Sequence, residues 1–398
     1  MDDIANNWRV LSGSTHWLGM LDSPPKNLRT YINHYGEMAE ATYDAYIKVP
    51  LSKNAGNCRY SRKNLLEKCG LLRGRPLNQY KVTKYIYATS AVPIPGAFVT
   101  SLSTHAWSKK SNWIAFVAEC TDEGKKMLGR RDIMIAWRGT VNPSDMVHDS
   151  ELVKVSAKKI FGERHPDNPK VHMGWYSIYT TEDPNTRYNQ VSAQEQVLAE
   201  VKRLVDKYRS EETSLTITGH SMGAAVGTLN AIDIVFNGLN KQSVLPPRAC
   251  PVTIFAFACP KVGDSNFKKV FNAQSNLFCL RINNKLDIVP KYPMVGYADV
   301  GEELGVDTTK STYLKGVGDV VSWHSMEGYM HAVAGTQGIK GGFKLEINRD
   351  VSLINKFSSA LKDEYGVPTN WWTEKHNGMV QNEAGVWELK DREIDEDP

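Results

Sequence analysis

Leu215-Thr-Ile-Thr-Gly219-His220-Ser221-Met222-Gly223-Ala-Ala-Val-Gly227-Thr-Leu229 is the stretch that decides the fold of this 398-residue chain. Its first four residues, apolar and β-branched, read as a buried strand, and the small residues after Gly223 read as a helix. A strand that turns into a helix this sharply strains the backbone at the corner residue, Ser221, and holds its hydroxyl exposed above the positive end of the helix. Glycines two positions to either side avoid side-chain clashes in the turn, and Ala224, Ala225 and Gly227 let the helix pack close to the sheet. The bare pattern G-x-S-x-G is weak, because a chain with 30 glycines carries it by chance about one time in six. Its alternative reading is a Gly/Ser turn before a helix. The strand before it and the small-residue helix after it favour the nucleophile elbow.

To either side of this stretch, apolar β-branched runs recur near Ile86 and at Trp113–Cys120, Ile133–Trp137, Val252–Ala258 and Leu277–Ile282. These read as strands. Between them, Ser192–Arg209 places Val197, Leu198, Val201, Leu204 and Val205 at helical spacing. Alternating strands and helices predict an α/β architecture, a mainly parallel sheet flanked by helices. The amphipathic stretch Asn27–Ile47 predicts helices wrapped around that sheet, so residues 1–80 form a helical N-terminal cover. Asn142–Lys170 is polar and charged, and reads as a long surface excursion of the lid or binding-loop kind. Residues 381–398 form an acidic C-terminal tail, whose last residues, 388–398, are expected to fray.

Composition excludes several classes. With 48 Lys plus Arg against 44 Asp plus Glu the net charge is +4, and no basic cluster marks a nucleic-acid binder. The start, MDDIANNWRVLSG, lacks the charge pattern and apolar core of a secretory signal, so a cytoplasmic location is expected. No run approaches the ~18–20 apolar residues of a membrane span. Six cysteines without a C-x-x-C pair are expected as reduced thiols, mostly packed in strands.

A serine hydroxyl needs a base to take its proton and a carboxylate to orient that base. On an elbow-bearing sheet these follow in the order Ser, Asp or Glu, His. Asp287, in the loop after the strand Leu277–Ile282, is the candidate carboxylate, since it falls at the same sheet edge as the elbow. Its rival, Asp264, reads better as a helix N-cap before Phe267. Of the ten histidines, His324, His331 and His376 qualify by order. His324 precedes an apolar helix and His331 lies within it seven residues on, so position alone leaves both open.

Gly219–Gly223, Ile135-Ala-Trp-Arg-Gly-Thr140, Val171-His-Met-Gly-Trp175, Pro260-Lys-Val-Gly263, Asp287-Ile-Val-Pro290 and Trp323-His324 occur in the order seen in class 3 lipases. From Trp8 to Trp372 the chain resembles the plant intracellular phospholipase A1 group, type II. The resemblance implies an α/β-hydrolase fold, with residues 81–380 as the catalytic domain. It further implies Ser221 as nucleophile, Asp287 as triad carboxylate and His324, rather than His331, as general base. Thr140 and the backbone N–H of Met222 match the oxyanion hole. Met222 stands where the plant group often shows Leu, an exchange of little expected effect because the donor is backbone. Val141–Ser150, where related fungal lipases carry their lid, is polar here and lacks a strongly amphipathic helix, so a site partly open in water is expected.

The expected activity is hydrolysis of an acyl ester in a glycerolipid, most closely the sn-1 position of a phospholipid, with no metal or organic cofactor and with peripheral contact to a lipid surface. Two rivals remain open. One is a galactolipase, monoacylglycerol lipase, small-ester esterase or acyltransferase on the same fold. The other is a lipase-like scaffold without chemistry, against which the intact triad speaks.

Overall fold

The computed structural model describes residues 2–74, 77–106, 108–140, 153–244, 248–316, 318–372 and 378–394. Seven strands form the central sheet: β1 (Tyr80–Ala88), β2 (Asn112–Cys120), β3 (Arg131–Trp137), β4 (Thr213–His220), β5 (Val252–Phe257), β6 (Leu277–Asn284) and β7 (Glu302–Val306). They are hydrogen-bonded in that order. β1, β2 and β3 pair antiparallel, and β3 through β7 pair parallel. The α/β-hydrolase fold that the resemblance implies is the one observed. Because β3, β4 and β6 run in one direction, the segments leaving them at residues 138, 221 and 285 emerge at a single edge of the sheet.

β3, β4 and β5 are buried along their whole length, as a parallel sheet covered on both faces requires. One face carries α3 (Met173–Thr180), α4 (Ala193–Lys207), α5 (Met222–Phe236) and α6 (Ser265–Asn272). The other carries α1 (Asp2–Leu11), α2 (Lys26–Asp44) and α7 (Met326–Gly335). α4 starts at Ser192, which forms a reciprocal capping box with Glu195.

The amphipathic reading of α2 understates its burial. Its polar residues Arg29, Asn33, His34, Glu37 and Glu40 are all buried, because α7 crosses over it. The crossing is close at Gly36, where a Cβ would lie 2.9 Å from Met330 Sδ. Tyr35 stacks on Phe255 of β5 at 5.1 Å, fixing α2 to the sheet.

Three further expectations need correction. The excursion after Thr140 is not wholly superficial: Lys154–Ser156 pairs with Lys170–His172, and Ala157, Ile160 and Phe161 between them are buried in the core. A few apolar residues inside a charged stretch sufficed to anchor it. The acidic tail is tied down at Asp391 and Glu393 rather than frayed there. Asp391 accepts hydrogen bonds from Ser52 and, at 2.8 Å, from Asn54, and Glu393 accepts from Asn64 at 2.9 Å. All six cysteines are free and buried, yet only Cys120 and Cys279 lie in strands. Edge strand β7, with only Leu304 and Val306 apolar beyond its glycine, carries no hydrophobic run to announce it. Among the described residues, no helix is long and apolar enough to cross a membrane.

Candidate active site

Ser221 sits between β4 and α5 with φ 58° and ψ −130°, a left-handed conformation costly for any residue with a Cβ. Its N–H donates to the Phe257 carbonyl at 2.9 Å. The flanking glycines are sterically obligatory. A Cβ on Gly219 would lie 2.6 Å from the Gly223 carbonyl, and one on Gly223 would lie 2.4 Å from the Trp137 carbonyl. The second contact also brings the end of β3 against the elbow. Gly223→Ala is therefore expected to cost about 3 kcal/mol or more, since the clash is with backbone on both sides. Thermal unfolding checks this, and a melting temperature within about 2 °C of the parent would contradict it.

Arg138-Gly139-Thr140 follows β3. Arg138 is fully buried and donates to the carbonyls of Trp113 (3.1 Å), Gly139 (2.7 Å) and Ala97 (2.9 Å), while its guanidinium lies 3.8 Å from the centre of the Tyr46 ring. The turn is pinned at three places. Gly139 allows the approach of the His220 carbonyl, 2.6 Å from where its Cβ would be. Thr140 is buried and lines a cavity of about 170 Å³ together with His220 and His324. Met222 is buried as the first residue of α5, where a backbone N–H has no acceptor inside its own helix.

His324 closes the short helix Val320–Trp323. Its Nδ1 lies 2.6 Å from Asp287 Oδ2, with both side chains fully buried. Asp287 also accepts hydrogen bonds from Tyr329 Oη at 2.7 Å and from the Val289 N–H at 3.0 Å. Tyr329 Oη in turn accepts from the Asn284 N–H at 3.0 Å, and Asn284 Nδ2 donates to the Trp323 carbonyl at 2.9 Å. The last residue of β6 thus holds the carboxylate's partner and the helix carrying the histidine. His324 Nε2 is buried without a hydrogen-bond partner among the described residues. An imidazole anchored by a carboxylate through Nδ1 presents Nε2 as a base.

Three groups at this site escaped the sequence reading of roles. Tyr329 stands five residues after His324 in the first turn of α7, near enough in sequence to have been suspected. His220, inside the elbow motif itself, lies with its ring 4.6 Å from that of His324. Burial, then the neighbouring His324, pushes its imidazole well below the usual range. Tyr43, whose Oη is 2.8 Å from His220 Nδ1, comes from the end of α2. No local signal could have found Tyr43, because its position depends on how the N-terminal helix packs.

The rivals have other duties. Asp264 caps α6, accepting from the Phe267 N–H at 2.9 Å. His331 is buried inside α7 with Nε2 2.7 Å from Ser311 Oγ, and burial followed by the charge of Arg349 pushes its pKa down to about 3. His376 and the polar segment Val141–Ser150 lie outside the described residues. Because His331 is depressed in the folded state, the unfolded chain takes up a proton there first as pH falls below about 6.5. This residue should therefore remove stability at up to about 1.4 kcal/mol per pH unit between pH 6.5 and 3. His331→Gln should remove that slope, so the stability gap between parent and variant, measured by denaturant unfolding, should shift in favour of the variant as pH falls. A gap independent of pH would contradict the assignment.

The family model described as Lipase (class 3) matches residues 134–297, from β3 through the loop containing Asp287. Over nearly the full chain the sequence is 50% identical to Phospholipase A1-II 4 of Oryza sativa subsp. japonica, covering 99% of this chain and 97% of that protein. It is 48% identical to Phospholipase A1-IIgamma of Arabidopsis thaliana, with 99% and 94% covered. Among solved structures, the native Rhizomucor miehei lipase propeptide complex aligns over 78% of this chain and 80% of that one, with TM-score 0.44 and 19% identity. With an elbow serine and a buried histidine–carboxylate pair at one sheet edge, and near-half identity along the whole length of those plant proteins, the chain belongs to the class 3 lipase family.

Proposed function

We propose that this lipid acylhydrolase is a phospholipase A1, cleaving the sn-1 acyl ester of a glycerophospholipid through an acyl-enzyme. Ser221 Oγ attacks the ester carbonyl while His324 Nε2 takes its proton. Asp287 fixes the imidazole and balances the charge it gains. Thr140 and the Met222 N–H donate to the oxyanion, an interaction worth a few kcal/mol of barrier. The protonated His324 then returns the proton to the departing glycerol oxygen, and water repeats the cycle on the acyl-enzyme. The observation that carries this reading is the buried Asp287–His324 pair, its Nε2 without a hydrogen-bond partner among the described residues and its ring 4.6 Å from that of His220, the residue preceding the strained elbow serine. Names of the relatives support the substrate and position.

The test is phosphatidylcholine labelled differently in its two acyl chains. The sn-1 acid is expected as the first product, and release of the sn-2 acid alone would overturn the reading. Every electrophilic group in this scheme is a protein donor, so hydrolysis of a monomeric soluble ester is expected to survive EDTA undiminished. Loss of that activity, restored by calcium, would contradict the mechanism.

A further inference from the structure

The helix Val320–Trp323 that ends at His324 forms the wall of two neighbouring clefts. One is the catalytic cavity with Thr140, His220 and His324; the other is a cleft of about 410 Å³ on the opposite side. They share Val321, Ser325 and Phe357. Val321 is 51% exposed, so the rim between them is low and apolar. The larger cleft falls within the size range of small-molecule sites. Its lining includes Lys315, and the hydroxyls of Thr308, Ser322 and Ser358 that also line it are held by hydrogen bonds within the protein, which leaves Lys315 as its cationic group.

We propose that this cleft is the subsite for the phosphoryl headgroup of the lipid, with Lys315 as its cationic contact. The proposal rests on the phospholipase reading above. The direction follows from proton transfer: the histidine that protonates the leaving oxygen must lie within hydrogen-bond reach of it, so the alcohol half of the ester lies on the His324 side. In the structure that side is the helix Val320–Trp323, and beyond it the cleft. An sn-1 ester leaves its headgroup on this alcohol half. Lys315 is available to it. Its ion pair with Asp363, at 2.8 Å, has a carboxylate side chain that is 90% exposed, and a solvated pair of this kind holds its partners weakly. A phosphate contact is the stronger, charge-assisted alternative. The one acidic residue among the described lining, Asp319, is exposed, and its Oδ1 is engaged as the N-cap of the helix, accepting from the Ser322 N–H at 2.8 Å.

The experiment compares phosphatidylcholine with diacylglycerol of the same acyl chains, each in the same detergent micelles, for the parent, Lys315→Ala and Ser359→Trp. Ser359 lines the cleft from an exposed position, so tryptophan there fills it without disturbing the core. In each variant the ratio of kcat/KM for phosphatidylcholine over diacylglycerol is expected to fall by about tenfold or more, the effect of losing one hydrogen bond to a charged group. Lys315→Arg should restore most of the ratio. An unchanged ratio in both variants overturns the headgroup subsite while leaving the phospholipase reading standing. A parent that hydrolyses diacylglycerol but not phosphatidylcholine overturns that reading itself.

Discussion

Ser221→Ala should leave a folded protein whose ester hydrolysis is slower by about five to six orders of magnitude. The removed atom is the attacking one, so no intermediate can form on the enzyme, and what survives is the contribution of binding and the oxyanion donors. Stability should change little, because alanine occupies the same left-handed backbone position at the same cost and the rest of the elbow is held by Gly219, Gly223 and the Ser221 N–H bond to Phe257. Fatty-acid release and thermal unfolding, measured on the same preparation, check both halves. Activity within tenfold of the parent would remove Ser221 from the mechanism.

The second large effect separates two histidines seven residues apart. His324→Ala should lower kcat by several orders of magnitude. It deletes the base and leaves Asp287 buried with Tyr329 and the Val289 N–H as its remaining partners among the described residues. His331→Ala should do the reverse. It opens a cavity beside Ser311, Tyr313 and Phe343 and removes the imidazole partner of the Ser311 hydroxyl, which keeps the Tyr313 N–H, at a cost of about 2–4 kcal/mol, while kcat in the folded fraction stays near the parent value. Steady-state kinetics corrected for the folded fraction discriminate the two. Reversed effects would move the base to His331.

How much of this was readable in advance follows from the range of each interaction. The elbow is local: five residues and their flanks specify strand, strained corner and helix, so Ser221 and the parallel core were legible from Leu215 to Leu229. Asp287 was legible because a parallel strand delivers its next loop to a known edge. The choice of His324 over His331 was not local. Both lie on α7 or at its threshold, and only the resemblance to the lipase family separated them before the Asp287 contact was seen. Tyr43 and the burial of α2 were illegible because they arise from α2 crossing α7 at Gly36, a contact between residues some 290 positions apart. The docking of Asp391 and Glu393 was hidden for the opposite reason. An acidic run looks solvated in any sequence window, and its hydroxyl and amide partners, Ser52, Asn54, Ser61 and Asn64, lie more than 300 residues earlier. The buried Ile160 and Phe161 show the same thing on a smaller scale, two core residues masked by charged neighbours.

Treating the native protein with an organophosphonate ester probe and locating the adduct by peptide mass spectrometry decides whether Ser221, activated through His324 and Asp287, is the acyl-accepting nucleophile. One phosphonyl group per chain is expected, on Ser221 alone, formed in step with loss of hydrolysis, greatly slowed in His324→Ala and absent in Ser221→Ala. Inactivation with the label on another residue, or equal labelling in Ser221→Ala, would contradict that role.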